Sequence, residues 1–100
     1  MTKKLRKYLR KLKKDFPLRK PVRIRTCDSL VNFEGDRIYG SFEDKSDYYL
    51  IWIGRQKDDS MMVDTLFHEW AHGLLWPKCS VRHTNLFWQT YGSIYRHYLD

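Results

Sequence analysis

Cysteine is scarce: Cys27 and Cys79 are the only two in 100 residues. At most one disulfide can form, which excludes the dense cross-linking of small secreted scaffolds. No apolar run approaches the roughly 20 residues of a membrane span, and Met1 leads into Lys and Arg without a secretory core. The expectation is a cytoplasmic protein with no membrane span. Repeats, low-complexity segments and linkers are also missing, and 12.3 kDa leaves room for one hydrophobic core. Residues 1–100 are therefore read as a single domain, expected to be monomeric. Aromatic residues are plentiful, with four Trp, seven Tyr and five Phe to fill a small core. A chain this short commonly needs a further staple, and with disulfides scarce a bound metal is the simpler one.

Acidic side chains are almost absent from the first quarter. Residues 1–25 hold 12 of the 19 Lys and Arg against Asp15 alone, a charge of +11; residues 26–100 hold 7 basic and 11 acidic residues, a charge of −4. Leu5, Tyr8, Leu9, Leu12 and Phe16 recur at helical spacing among these cations, so the segment reads as a basic amphipathic helix ended by Pro17 and Pro21. Val22 and Ile24, alternating with Arg23 and Arg25, then suggest a first strand with a basic outer face. Three readings of the charge stand side by side: an ordinary solvated face, an anionic membrane surface, and nucleic-acid phosphate contact through Lys3, Lys4, Lys7, Lys11 and Lys14.

Beyond a polar stretch from Cys27 to Asp36, Arg37 to Glu43 alternates as a strand does. A turn cluster at Asp44 to Asp47 and the apolar run Tyr48 to Ile53 complete a hairpin. Asp58, Asp59 and Ser60 supply an N-cap for a helix reaching Trp76 before Pro77, and a last helix runs from about Thr84 to Leu99. The fold class is α+β: an N-terminal helix, a small mostly antiparallel sheet and two further helices. Trp52, Trp70, Trp76 and Trp88 are most simply packing residues.

The third of these elements, the helix before Pro77, contains His68-Glu69-Trp70-Ala71-His72, the pattern H-E-x-x-H. Shuffling this composition gives about 0.005 expected matches, so chance is a weak rival. On a helix the two imidazoles lie about 40° apart, close enough to share one Zn²⁺, and Glu69 sits about 60° from His72, beside the metal rather than on it. A carboxylate there can take the proton of a water that zinc acidifies and return it to a leaving amine. Met62, Val63, Leu66, Phe67, Trp70 and Leu74 occupy the opposite arc, giving a core face and a site face.

One zinc per chain needs a third ligand. No glutamate follows Glu69, which excludes a later glutamate ligand, and the extended H-E-x-x-H-x-x-G-x-x-H pattern fails at Leu75 and Lys78. Cys79, His83 and His97 remain. His83 is favoured, because it follows His72 by 11 residues across a Pro77-containing loop and directly precedes the last helix. Tyr91, Tyr95, Tyr98 and Arg82 are candidate donors to a developing oxyanion. Asp64 reads equally as a hydrogen-bond partner of a ligand histidine or as an acid favoured near a helix N-terminus.

Asp64-Thr65-Leu66-Phe67-His68-Glu69-Trp70-Ala71-His72-Gly73-Leu74, followed by His83-Thr84-Asn85-Leu86-Phe87-Trp88 and by Tyr91, Ile94, Tyr95 and Arg96, resembles the short SprT-like (Spartan-type) zinc metallopeptidases. The likeness is greatest to the minimal ones common in bacteriophage genomes and covers roughly residues 37–98. It departs at Thr84, where the family often has glycine, and at Leu86. The resemblance implies a zincin-like domain hydrolysing a protein or peptide substrate, with His68, His72 and His83 on zinc, Glu69 as catalytic base, and an association with DNA. It also implies a sheet edge that takes substrate as an added strand, expected at Tyr48 to Ile53. The rival expectation is a nucleic-acid-binding module in which zinc is only structural and no proteolysis occurs.

Overall fold

A computed structural model describes residues 1–78 and 83–99. The first helix, α1 (Lys3–Asp15), starts where the Thr2 hydroxyl accepts the Leu5 N–H at 3.1 Å. Lys13 and Lys14 lie in its last turn, where cations complement the helix dipole. Leu5, Tyr8 and Leu12 are buried, so the apolar stripe is spent on the core and is not available to a membrane surface.

Five strands follow: β1 (Val22–Cys27), β2 (Leu30–Val31), β3 (Arg37–Ile38), β4 (Gly40–Asp44) and β5 (Tyr49–Gly54). The main sheet has the order β1-β5-β4, and β2 pairs with β3 in a separate two-stranded ribbon. The β4–β5 pair is the expected antiparallel hairpin, with Gly40 opposite Ile53 and Asp44 opposite Tyr49. Of the three pairings two are antiparallel, while β1 lies parallel to β5, Val22 opposite Tyr49. That parallel pairing corrects one expectation. The Tyr48 to Ile53 run is the central strand, hydrogen-bonded on both sides, so the sheet edge beside the second helix is β4. Its continuous apolar character reflects a central position. The polar stretch after Cys27 holds β2, and the run from Arg37 breaks at Tyr39, where the chain leaves β2 to pair with β5.

Helix α2 (Asp59–Leu75) is capped by Asp58, whose carboxylate accepts the Met61 N–H at 2.9 Å, and it ends before Pro77. Helix α3 (Asn85–Leu99) packs against α2. Tyr49, Ile51 and Ile53 of β5 face the helices and are buried with Leu66, Phe67, Trp70, Phe87 and Ile94. Trp70 is fully buried, yet its indole N–H reaches the Phe16 carbonyl at 2.8 Å and ties the end of α1 to α2. Met62, Val63, Leu66, Phe67 and Trp70 of the expected core arc are buried and Leu74 is partly so, but Glu69, Ala71, His72 and Gly73 are buried as well; the second half of α2 is enclosed on nearly every side.

Candidate metal centre

Helical spacing and the entry into α3 bring three imidazoles together. His68 and His72 stand one turn apart on α2, and His83 lies two residues ahead of α3, where the Thr84 hydroxyl accepts the Phe87 N–H at 3.3 Å. The His83 Nε2 lies 3.1 Å from that of His68 and 3.2 Å from that of His72. One ligand atom from each of the three falls within 4.8 Å of the others. Tetrahedral zinc with Zn–N bonds of about 2.0–2.1 Å requires nitrogens about 3.3 Å apart, so the spacing suits such an ion. One Nε2 of His83 can carry only one proton, so it cannot donate to both neighbours. A cation among the three nitrogens satisfies all of them, and the cluster can hold a metal ion.

Packing holds the rings in place. The fully buried Phe87 ring lies 4.4, 4.6 and 4.8 Å from His72, His83 and His68, forming a floor beneath all three. Four residues after His83 and on the first turn of α3, it is a supporting residue that sequence reasoning passed over. Trp88, expected in the core, is half exposed beside His83 at 5.4 Å. Burial lowers the His68 pKa to about 4, helped by His72 and His83 and opposed by Asp64. The imidazole is thus neutral at neutral pH, the state a metal ligand needs.

Glu69 is only 7% exposed and is not a member of the clustered ligand set. Burial raises its pKa to about 7, near the range where a carboxyl can both accept and release a proton. Its carboxylate lies over Gly40 of β4. A Cβ added there would stand 2.8 Å from Glu69 Oε2 and 2.6 Å from Thr65 Cγ2. The sheet edge therefore approaches α2 closely only because residue 40 lacks a side chain. The signal available in the sequence was a glycine on the inward phase of a strand.

The remaining candidates disperse. Tyr91 donates its hydroxyl proton to Asp64, and burial followed by that carboxylate holds its pKa well above the usual tyrosine range. The pair links α2 to α3, and the Tyr91 ring lies 5.9 Å from His68. Asp64 is thus engaged with Tyr91, and the acid in the first turn of α2 is Asp59. Tyr95 is exposed, 6.2 Å from Tyr91 between ring centres. Tyr98 and His97 both turn to Asp15 at the end of α1, so His97 stands apart from the cluster. Cys79 and Arg82 lie outside the described residues.

On α1, Lys4 donates to the Ser60 hydroxyl at 2.8 Å, and Lys7 and Lys11 lie over the Tyr8 ring. Of the 12 cations in residues 1–25, Lys20 alone forms an ion pair among the described residues, with Asp44. No helix among the described residues is long and apolar enough to cross a membrane. Comparisons with protein-family models, with curated proteins and with solved structures find no match.

Proposed function

We propose that this chain is a zinc-dependent peptidase of the SprT-like, zincin-like kind, working on protein or peptide substrates. The observation that carries the reading is the division of labour on α2: three imidazole nitrogens converge at 3.1 and 3.2 Å, while Glu69 is buried next to them without joining them. A zinc ion bound there would supply Lewis acidity, polarising a carbonyl and easing deprotonation of water. His68, His72 and His83 would hold it through their Nε2 atoms. Glu69 takes a proton from the attacking water at a carboxylate oxygen and hands it to the leaving amine. Its enclosure between α2 and Gly40 keeps that carboxyl in a fixed position and away from bulk water. A purely structural metal leaves this buried carboxylate without a role.

Glu69→Gln tests the reading. The variant keeps one zinc per chain and a native thermal melt, because Glu69 is not a ligand, yet loses cleavage of an unfolded protein substrate such as casein. Cleavage at the wild-type rate by zinc-loaded Glu69→Gln would sink the mechanism.

A second reading, nucleic-acid contact by the basic segment, draws support from the nearly complete absence there of ion pairs among the described residues. A surface whose cations mostly lack acidic partners suits a polyanion. It is compatible with peptidase activity and also stands without it.

A further inference from the structure

The helices pack on one face of the main sheet and leave the other open. Pairing register places Arg25, Trp52 and Ser41 in one row across that open face, and Arg23, Leu50 and Glu43 in the next. Arg23 lies over the Tyr48 ring at 4.2 Å, and neither Arg23 nor Arg25 has an ion-pair partner among the described residues. Beside Trp52 a groove of about 510 Å³ runs between the sheet and the β2–β3 ribbon, walled by Leu30, Ile38, Trp52 and Phe33. Phe33 is completely exposed. Its turn is fixed nonetheless, because the Asn32 side-chain oxygen accepts the N–H groups of both Glu34 and Asp36 at 3.0 Å. Glu43, the one carboxylate lining the groove, is neutralised by Lys45 at 2.7 Å.

We propose that this open sheet face binds single-stranded nucleic acid, with a base stacked in the groove between Trp52 and Phe33 and the backbone drawn to Arg23 and Arg25. Neighbouring strands lie about 4.8 Å apart, so the Arg25 position on β1 stands one strand spacing from Trp52 on the same face. Aromatic rings beside unpaired guanidinium groups are what an unpaired strand needs, since each base offers a stacking face and each phosphate a charge. A duplex hides its base faces and gains nothing from Trp52 or Phe33. The proposal rests on the nucleic-acid reading only for the class of partner; it uses other residues than α1 and requires neither metal nor Glu69.

The full chain is titrated into fluorescein-labelled oligo(dT) of about 12 nucleotides, and into a duplex of equal length, with anisotropy as the readout. The single strand is expected to bind more tightly. Trp52→Ala and Phe33→Ala each weaken it roughly tenfold, the size of one lost stacking contact. Arg25→Gln lowers the salt slope by about 0.7. Trp52→Ala can disturb the sheet, but Phe33 touches solvent on all sides, so Phe33→Ala tests stacking in an intact fold. Wild-type affinity in both Phe33→Ala and Arg25→Gln overturns the proposal. So does a duplex preference abolished by replacing the α1 lysines, which leaves only the α1 reading standing. Displacement of oligo(dT) by polyglutamate at equal charge concentration would assign the face to an acidic polypeptide instead.

Discussion

Helices α1 and α2 pack against each other but treat their polar side chains in opposite ways. In α1 every lysine and arginine stays in water, and only Leu5, Tyr8 and Leu12 are buried. In α2, Glu69 and His72 are drawn down to 7% and 8% exposure. An exposed cation costs the fold little and contributes little. A carboxylate withdrawn from water costs several kcal/mol if it stays charged, which is why the Glu69 pKa rises to about 7. An apolar residue in the same place would cost less. The contrast teaches where chemistry is to be sought: the polar groups whose burial opposes stability point to a reaction, and the exposed ones point only to partners.

The contrast breaks most completely if the clustered imidazoles hold no metal. His83→Ala is expected to lower zinc affinity by at least about 100-fold, more than the loss of a supporting partner usually costs. His97→Ala, whose ring lies against Phe16 beside Asp15, keeps one zinc per chain. Metal stoichiometry by mass spectrometry decides. Zinc retained in the first variant and lost in the second would move the site to the far end of α3.

Gly40 sharpens the comparison, because it is where the sheet accommodates the buried carboxylate. A methyl group there would come within 3 Å of both Thr65 and Glu69. Gly40→Ala is expected to cost about 1–3 kcal/mol in thermal stability from overpacking. It keeps zinc and lowers cleavage about 100-fold, the usual penalty for displacing a catalytic group by an ångström. Gly54→Ala is the control, since its Cβ would meet neighbours at ordinary distances of 3.4–3.6 Å. Equal losses in the two variants would make Gly40 a general packing position with no tie to Glu69.

The sequence made the centre more legible than the sheet. His68, Glu69 and His72 follow from helical spacing, a local property that tertiary context did not disturb, and His83 follows from chain length and the start of α3. Gly40 and Phe87 were missed because each acts through a long-range or ring-to-ring approach that no local pattern encodes. The β5 run was recognised as a strand but placed at the edge. Alternation in β1, with Arg23 and Arg25 outward, was visible, but nothing local states that β1 pairs with β5 in parallel and thereby covers its second side. Trp88 and Trp52 show the same limit: residue type indicated packing, whereas register and helix phase set them at the surface or half in water.

The smallest expected effect lies in α1. Replacing Lys3, Lys4, Lys7, Lys11 and Lys14 by Gln should change stability by no more than about 0.5 kcal/mol, since these side chains are exposed and none forms an ion pair among the described residues. Zinc content should not change, because the clustered ligands lie on α2 and ahead of α3. What should change is the salt dependence of nucleic-acid binding: log K falls with log salt by about 0.9 for each duplex phosphate contacted, and each lysine in contact removes that much from the slope. The five are not equivalent. Lys4 is already engaged with Ser60, and Lys7 and Lys11 lean on Tyr8, so Lys3 and Lys14 are freest to reach a phosphate. The double variant Lys3→Gln, Lys14→Gln should therefore account for about half of the flattening. A slope untouched by all five would make the α1 cations a solvated face. The remaining difference between the two helices would then be that α2 alone carries a function.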